Sequence, residues 1–354
     1  MEKQRKKTTI LLNDHMTAYL RFWSRIGFYY SRKALEFTEG KSEIVIPCNK
    51  WFKRDWAVNN KTHRRIRRKK LHRNAGTFHG FLEFHPTNGR FAIDYDNEDE
   101  LERNITAMKS QIYLASKLGS MWRGTKMLII HPGGSLRKTA DEYIDVFVRA
   151  LAPCLEYADK HKVQISIEPD LGTGKVKYYG NSEHIGNVVK MIERLTELAP
   201  KNNLKRPAGM TLDTSHTLLA NHRDYDKVAD AVREFGEFIC YAHINHPYNY
   251  YISKNGLHPV NKKIGRLSGM RQVMTMLTKS QDGHNSIYRL KQQEKFNTIL
   301  ELLATRTQIP HYRRVLLEIG PRWDRGFNFW RAGSSGYGAY KSLKLLDSIF
   351  NKSV

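Results

Sequence analysis

Short apolar runs that end in a polar residue recur along this chain, and they alternate with longer segments of helical period. The clearest run is Met127–Ile130, which leads into His131 and then Pro-Gly-Gly. An apolar run of this length that is closed by a turn signal predicts a buried β-strand. The same arrangement recurs in five other segments, which carry His85, Glu168, Asp213 with His216 three residues later, His243 and Glu318.

The segments between these strands predict helices. In Glu98–Leu118, apolar residues such as Leu101, Ile105 and Met108 repeat with a helical period. Repeated alternation of strand and helix favours a (β/α)8 TIM barrel, in which the carboxyl ends of the parallel strands share one face. We therefore expect the polar strand-end residues to gather at that face. Comparable patterns predict further helices at Thr139–Lys160, Glu183–Leu198, Tyr225–Phe238, Lys291–Ala304 and Ala339–Phe350.

The first part of the chain would complete the barrel. Thr8–Asn13 and Glu43–Pro47 are the expected first two strands, and the helix between them falls in Tyr19–Phe37. Lys61–Arg73 is the densest basic run of the sequence. It is either a solvated loop or a segment that contacts phosphates, and the sequence leaves both readings open.

A long connection, His246–Gln281, follows the strand that carries His243 and shows no strong period. A connection of this length inside a compact domain is usually functional or mobile, so we interpret it as an insertion. We expect a basic N-terminal region at residues 1–79, which holds two barrel units and a basic loop. The metal-binding barrel body would then occupy residues 80–354.

The net charge of the chain indicates a class of binding partner. Lys and Arg number 59 against 35 acidic residues, so the net charge is +24. A surplus of this size favours a polyanionic partner, and nucleic acid is the usual one. No apolar run approaches the roughly 20 residues of a membrane span, and the N-terminus lacks the apolar core of a secretory signal. The 3 cysteines are far apart and odd in number, so we expect an intracellular protein without a disulfide framework.

The strand-end residues together indicate metal ions. Each alone has an ordinary explanation, since a lone histidine is often structural and Asp213 could cap the following helix. As a set, however, carboxylates gathered at one barrel mouth would repel each other unless cations neutralised them. Mixed imidazole and carboxylate donors suit zinc, with manganese or iron as substitutes. Because there are more donors than one ion needs, we predict a multinuclear site.

Several of these segments resemble endonuclease IV, the zinc-dependent abasic-site nuclease of the xylose-isomerase-like barrel superfamily. The most specific is LDTSH at 212–216, and the ordered set carries more weight than any single motif. The resemblance covers roughly residues 80–320 and places Phe296 much as the family places an aromatic residue. The other matching segments are HPGGS at 131–135, IEP at 167–169, HIN at 243–245, Asp282-Gly283-His284 and LLEIG at 316–320.

The resemblance implies three zinc ions and a role for each ligand. His85, His131 and Glu168 would hold the first ion, and Glu168 would bridge to a second. Asp213, His243 and Glu318 would complete that second site. His216, Asp282 and His284 would hold the third, with His258 as a rival to His284. Glu168 and Glu318 would be the catalytic carboxylates in cleavage of double-stranded DNA 5′ to an abasic site, by a protein expected to be a monomer.

The residues expected to contact DNA lie in basic and aromatic segments. Tyrosines 248, 250 and 251 could stack on bases or could equally be packing residues. Three other functions stay open: a sugar isomerase or epimerase on the same barrel, a UV-damage endonuclease, and a basic nucleic-acid-binding protein with a vestigial metal site. The predicted DNA contacts are Arg64, Arg65, Arg67, Arg68, Lys69, Lys70, Lys262, Lys263, Arg266 and Tyr250.

Overall fold

The fold is seen in a computed structural model, and its described part includes all the strands of the barrel. The described residues are 7–25, 27, 29–39, 41–45, 75–80, 98–118, 122, 124–132, 138–169, 185–201, 208–247, 250–253, 256–259, 286–288, 290, 292–319 and 329–352.

Eight parallel strands close a barrel, which confirms the predicted (β/α)8 fold. The strands are β1 Thr9–Asn13, β2 Ser42–Val45, β3 Thr77–His79, β4 Lys126–Ile130, β5 Val163–Ile167, β6 Gly209–Asp213, β7 Ile239–Ile244 and β10 Arg314–Leu317. Their order around the barrel is β1-β10-β7-β6-β5-β4-β3-β2. In β5, β6 and β7 every residue is buried, because a barrel strand is covered on both faces and reads as a nearly continuous apolar run.

Helices follow most of the strands, as the periodic segments predicted. A short 3-10 helix, Gly236–Phe238, leads into β7. None of the helices among the described residues combines the length and apolar character needed to cross a membrane. The helices are α1 Asp14–Arg25, α2 Tyr29–Thr38, α3 Glu98–Lys117, α4 Ala140–Lys160, α5 Ile185–Lys201, α6 Thr214–Ala220, α7 Tyr225–Phe235, α8 Gln293–Arg306, α9 Ile309–Tyr312 and α10 Phe329–Phe350.

Three local elements differ from the sequence prediction. The single helix expected in Tyr19–Phe37 is two helices, α1 and α2, and between them Gly27 has a φ of 97°, a conformation that glycine adopts without strain. The last helix begins at Phe329, ten residues before the expected start. Part of the expected insertion forms an antiparallel hairpin of β8 Tyr250–Ser253 and β9 Gly256–Pro259.

The chain divides into two compact units. One comprises residues 1–40, 213–236 and 242–354, and the other comprises residues 41–212 and 237–241. In the first unit, Asn351 ties the last helix to β1, since the backbone N of Thr8 donates to its Oδ1 at 2.7 Å. In the second unit, the hydroxyl of Tyr241 donates to the Oε2 of the buried Glu43 at 3.0 Å. The division that we predicted at residue 79 stays a prediction.

Candidate metal centres

The second unit brings together two histidines and a carboxylate at the ends of three adjacent strands. His79 is the last residue of β3, His131 follows β4, and Glu168 follows β5. One potential ligand atom from each of the three lies within 4.8 Å of the others. We call this cluster of His79, His131 and Glu168 the nitrogen-rich centre.

Backbone pairing sets the positions of these donors. His79 is in register with Ile129 of β4, and the backbone N of Glu168 donates to the carbonyl of Ile130 at 2.8 Å. The three residues therefore leave neighbouring strands at similar heights in the barrel. The imidazole rings of His79 and His131 lie 4.9 Å apart, centroid to centroid.

Hydrogen bonds orient the side chains of this centre. His79 Nε2 lies 3.1 Å from Glu168 Oε2, and His131 Nε2 lies 3.9 Å from the same oxygen. His131 Nδ1 lies 3.1 Å from the backbone carbonyl of Glu168. Because a carbonyl oxygen only accepts hydrogen bonds, His131 Nδ1 is the donor in this contact, and Nε2 is the nitrogen that lies towards Glu168 Oε2. Outer contacts of this kind fix the tautomer of metal-binding histidines.

His79 was not among the predicted ligands. The sequence placed the third strand at Gly80–Pro86 and its ligand at His85, whereas β3 is Thr77–His79. A strand of three residues leaves too few positions for a periodic signal. The strand was therefore predicted at the apolar residues that follow it in the sequence. His85 lies outside the described residues. Among the described residues, His79 is the donor that β3 supplies to this centre.

The first unit holds the second cluster. Asp213 ends β6, His243 is in β7, and Glu318 follows β10. Here again the three residues offer ligand atoms within 4.8 Å of one another. His243 Nδ1 lies 3.2 Å from Glu318 Oε2 and 4.0 Å from Asp213 Oδ2. We call this cluster of Asp213, His243 and Glu318 the oxygen-rich centre.

Exposure separates the three donors of the oxygen-rich centre. The side chains of Asp213 and His243 are almost fully buried, whereas that of Glu318 is 19% exposed. A substrate that approaches this cluster from solvent would therefore reach Glu318 first. Glu318 was a predicted catalytic residue, and that role stays a prediction.

Asn245 holds the two carboxylates of the oxygen-rich centre. Its Nδ2 donates to Asp213 Oδ2 at 3.0 Å and to Glu318 Oε2 at 3.5 Å. Its Oδ1 accepts from the backbone N of Ser215 at 2.8 Å, and its backbone N donates to Thr214 Oγ1 at 3.0 Å. Asn245 is fully buried, and these hydrogen bonds engage both its amide nitrogen and its amide oxygen, so it positions the two carboxylates. The sequence showed Asn245 only as the third letter of HIN, without a role.

Asp213 has a second task, because it caps the following helix. Its Oδ1 accepts from the backbone N of His216 at 2.7 Å, which satisfies one of the N–H groups that lack a helical partner at the start of α6. Its other oxygen, Oδ2, lies 4.0 Å from His216 Nδ1. The helix cap considered from sequence is therefore present, and it uses only one of the two oxygens, whereas the ligand role of Asp213 stays a prediction.

The predicted third zinc site is described only at His216. Its other predicted ligands, Asp282 and His284, lie outside the described residues. The rival His258 is in β9, where only the backbone is described. The third site therefore stays a prediction.

Most predicted DNA contacts also lie outside the described part of the chain. Tyr250 and Tyr251 are in β8, where the backbone alone is described. The remaining candidates, all outside the described residues, are Arg64, Arg65, Arg67, Arg68, Lys69, Lys70, Tyr248, Lys262, Lys263 and Arg266.

Beyond β7, His246 lies in a largely apolar setting. Its Nε2 is 2.7 Å from the hydroxyl of Tyr225, and its ring stacks on that of Tyr225 and meets that of Phe296 edge to face. Burial, with a smaller contribution from the charge of Arg223, lowers the pKa of His246 to about 4. Burial also raises the pKa of Tyr225. The pair is therefore neutral at physiological pH.

The donor atoms of both clusters are of the kinds that bind common divalent metal ions in proteins. Two imidazoles and one carboxylate match the ligands of catalytic zinc sites, which keep one position open for water. Two carboxylates and one imidazole favour harder cations such as Mg²⁺ or Mn²⁺. The buried carboxylates of Glu168 and Asp213 add negative charge that a cation would offset.

A closed parallel barrel with metal-ligand side chains at its strand ends defines a class of metal-dependent barrel enzymes. Residues 50–300 match the family of xylose isomerase-like TIM barrels, which is more than half of the chain. The chain belongs to that family. This confirms the superfamily that the sequence motifs implied. No curated protein sequence matches this chain.

Two solved structures show the same fold. A D-tagatose 3-epimerase-like protein is 16% identical over 88% of this chain and 90% of its own, with a TM-score of 0.52. An L-ribulose 3-epimerase is 14% identical over 98% of this chain and 97% of its own, also with a TM-score of 0.52. At this level of identity, both likenesses establish the fold alone.

Proposed function

We propose that this protein is a metal-dependent sugar isomerase or epimerase. The observation that carries the proposal is the oxygen-rich centre, in which two carboxylates and one histidine converge at strand ends of the family's barrel. A single divalent cation held mainly by carboxylates is what sugar isomerisation on this barrel requires. The names of the two structural neighbours point to ketoses as the first substrates to test.

The chemistry follows from the donors. A divalent cation at the oxygen-rich centre would polarise a carbonyl and the adjacent hydroxyl of a sugar. Glu318, the most exposed donor, would use the carboxylate oxygen that does not hold the cation to take the proton from the carbon next to the carbonyl, while the electrons of that C–H bond move towards the carbonyl oxygen. Returning this proton to the neighbouring carbon interconverts aldose and ketose with one base. Inversion at the same carbon needs a second proton donor on the opposite face.

Asn245 supports this role for Glu318. It joins Glu318 to Asp213 through its two Nδ2 hydrogen bonds, so that the base and a buried ligand keep their spacing.

A second candidate is the metal-dependent abasic-site endonuclease that the sequence motifs resemble. Two observations favour it: the nitrogen-rich centre, with its two histidines, and the net charge of +24. His79, His131 and Glu168 would hold a metal ion, which would supply the Lewis acidity that hydrolysis of a phosphodiester needs. Here the predicted catalytic role of Glu168 would apply, and double-stranded DNA would be the partner.

The two candidates demand different sets of donors. Isomerisation needs only the oxygen-rich centre. Incision of DNA, as the resemblance to endonuclease IV implies it, needs both centres. We would therefore compare His243→Asn, which alters the oxygen-rich centre, with His79→Asn, which alters the nitrogen-rich centre. His311→Asn changes an exposed histidine and serves as the matched control.

Each variant would be assayed on ketoses with added Mn²⁺ and on a labelled duplex with one abasic site. We expect ketose turnover, with deuterium uptake from D₂O at the epimerised carbon, that is lost in His243→Asn and kept in His79→Asn. Incision that is lost in both variants, together with no ketose turnover, would reject the isomerase and establish the nuclease. Turnover of neither substrate by metal-loaded wild-type protein would reject both.

A further inference from the structure

Two tyrosines at the start of helix α2 expose much of their side chains to solvent. Tyr29 is 55% exposed and Tyr30 is 37% exposed, and they are the exposed large hydrophobic residues of the described chain. Neither residue belongs to a metal centre, and neither lies in one of the sequence motifs. Their surroundings suggest what they are for.

The two rings are part of a larger aromatic surface that spans α2 and α10. The rings of Tyr29 and Tyr30 meet edge to face at 5.2 Å, and Tyr30 meets Tyr337 edge to face at 4.8 Å. Tyr340 lies 6.0 Å from Tyr30. The rings that meet edge to face are nearly perpendicular, so aromatic faces point in more than one direction along the surface.

Close packing of the two helices keeps this surface in place. A Cβ at Gly336 of α10 would lie 2.6 Å from the Oγ of Ser31 and 3.0 Å from its backbone N, so only glycine permits this approach. Ser31 directly follows Tyr30, and Gly336 directly precedes Tyr337. The contact that joins the helices therefore also holds the two rings together.

Lysines lie against the same rings. Lys33 Nζ is 5.8 Å from the centroid of Tyr29, and Lys344 Nζ is 5.8 Å from that of Tyr340. Lys341 Nζ is 5.5 Å from the centroid of Tyr337. These are cation–π distances, and Lys33 Nζ also pairs with Glu36 Oε2 at 3.2 Å at the exposed surface.

We propose that this tyrosine–lysine surface, formed by Tyr29, Tyr30, Tyr337, Tyr340, Lys33 and Lys344, binds single-stranded nucleic acid by stacking bases on the tyrosines and neutralising phosphates with the lysines. Aromatic faces interleaved with cations are the recurrent means by which proteins hold single strands without sequence preference. The net charge of +24 favours a polyanion over a neutral sugar polymer at such a surface. The proposal does not depend on either activity proposed above.

A second group of aromatic and basic residues shows why exposure matters. Tyr113 and Tyr157 contact His161, and Lys117 lies 5.2 Å from the ring centroid of Tyr113. These residues cluster at the carboxyl-terminal ends of α3 and α4, where cations stabilise the helix dipole. Both tyrosines are only partly exposed, whereas Tyr29 and Tyr30 are exposed. This group has an ordinary structural explanation and offers matched control positions.

The test is the affinity of the full chain for a fluorescein-labelled dT oligonucleotide of about 15 nucleotides, followed by fluorescence anisotropy. Tyr29→Ala with Tyr30→Ala should weaken binding about 5-fold or more for each base that no longer stacks. Tyr29→Phe with Tyr30→Phe keeps the rings and should bind as wild type. Tyr113→Ala with Tyr157→Ala should leave the affinity unchanged.

Salt dependence and assembly complete the test. Lys33→Gln with Lys344→Gln should lower the slope of log affinity against log salt by roughly 0.7 for each phosphate that is no longer neutralised. Unchanged affinity of the Tyr29→Ala, Tyr30→Ala protein would overturn the proposal, as would an equal reduction in the control pair. A dimer of the wild-type protein that the alanine variant dissociates, with oligonucleotide affinity intact, would instead make this surface a self-association site and also overturn it.

Discussion

The nitrogen-rich and oxygen-rich centres both form at carboxyl ends of barrel strands, yet they relate to their surrounding fold in different ways. After His131 of the nitrogen-rich centre, the next helix begins at a separate cap, Thr139, which forms a reciprocal capping box with Glu142. In the oxygen-rich centre, Asp213 is itself the cap of the next helix. A change at Asp213 therefore affects a helix cap as well as a donor, whereas the cap of α4 is separate from the donors of the nitrogen-rich centre.

This difference teaches that a ligand and a structural residue need not be alternatives. A carboxylate has two oxygens, and Asp213 gives one to the backbone of α6 and the other to the donor cluster. Sequence reasoning treats cap and ligand as competing explanations of the same residue. At Asp213 the cap leaves one oxygen in the donor cluster, so the geometry allows both roles, and mutations can separate them.

The largest effect should come from changing Asp213 in two ways. Asp213→Ala removes the cap, a donor and a buried hydrogen bond, and should lower the free energy of unfolding by about 1–3 kcal/mol. Asp213→Asn keeps an equally good cap but loses the charge, so it should retain most of that stability. Both variants should weaken Mn²⁺ binding by more than about 100-fold.

Urea unfolding in the presence of a chelator would measure the stabilities, and titration calorimetry would measure Mn²⁺ affinity. If Asp213→Asn were as unstable as Asp213→Ala, the cap would not be the structural role of this residue. If either variant bound Mn²⁺ like wild type, Asp213 would not be a ligand.

Acid sensitivity gives the next largest effect and concerns the unit that holds the oxygen-rich centre. The pKa of His246 is about 4 in the folded protein, against about 6.5 in an unfolded chain, so the unfolded state binds more protons between these values. The free energy of unfolding should therefore rise with pH in this window, by up to roughly 3 kcal/mol, and this stability is lost as pH falls from about 6.5 towards 4.

Replacing His246 by glutamine should flatten that part of the pH profile. The profile would be recorded by chemical denaturation at several pH values, with chelator present so that metal binding does not contribute. His311→Gln, at an exposed position, is the control and should keep the wild-type slope. A steep slope that survived in His246→Gln would assign the acid sensitivity to other groups.

A smaller effect is expected for Asn245, whose substitution should change metal affinity at the oxygen-rich centre but not at the nitrogen-rich centre. Asn245→Ala removes the amide that links Asp213 to Glu318, and should weaken Mn²⁺ binding by about 10- to 100-fold, as loss of outer hydrogen bonds to metal ligands usually does. Zinc binding at the nitrogen-rich centre should not change. Asn221→Ala, which removes an amide at the end of α6, is the control. Equal loss of both metals would show that the substitution disturbs the fold rather than one centre.

The smallest expected effect is at Thr139. Thr139→Ala removes the capping box of α4 and should lower the free energy of unfolding by about 1 kcal/mol without changing the affinity for any metal. Thr139→Ser keeps the hydroxyl and should be nearly neutral. A loss of zinc affinity in Thr139→Ala would contradict the separation of cap and ligand at the nitrogen-rich centre.

The barrel could be predicted from sequence because each buried strand is a nearly continuous apolar run with a polar end. This held for β4, β5, β6 and β7, which carry or lead into the predicted donors His131, Glu168, Asp213 and His243. It failed at β3, where three residues carry too little pattern to reveal His79. Periodicity needs length, and the shortest strand was therefore the one assigned to the wrong segment.

The site was less predictable than the fold for a related reason. Donors can be recognised by residue type, but positioning residues such as Asn245 are defined by the groups that they join across the chain. Asn245 lies 32 residues from Asp213 and 73 from Glu318, and no local pattern reports those separations. The exposure of Tyr29 and Tyr30 could not be predicted from the sequence either, because aromatic residues in a predicted helix are expected in the core.

The hydrogen bond from Tyr241 to Glu43 has a consequence for folding fidelity. Glu43 is a buried acid in β2, where its neighbours along the strand include the apolar Ile44. Side chains alternate between the two faces of a strand, so a slip of β2 by one residue would turn Glu43 away from Tyr241 and expose a different set of side chains to the interior. A buried acid without its partner costs about 1–3 kcal/mol or more. The hydrogen bond between Tyr241 and Glu43 therefore favours the correct register of the second strand over a slipped one.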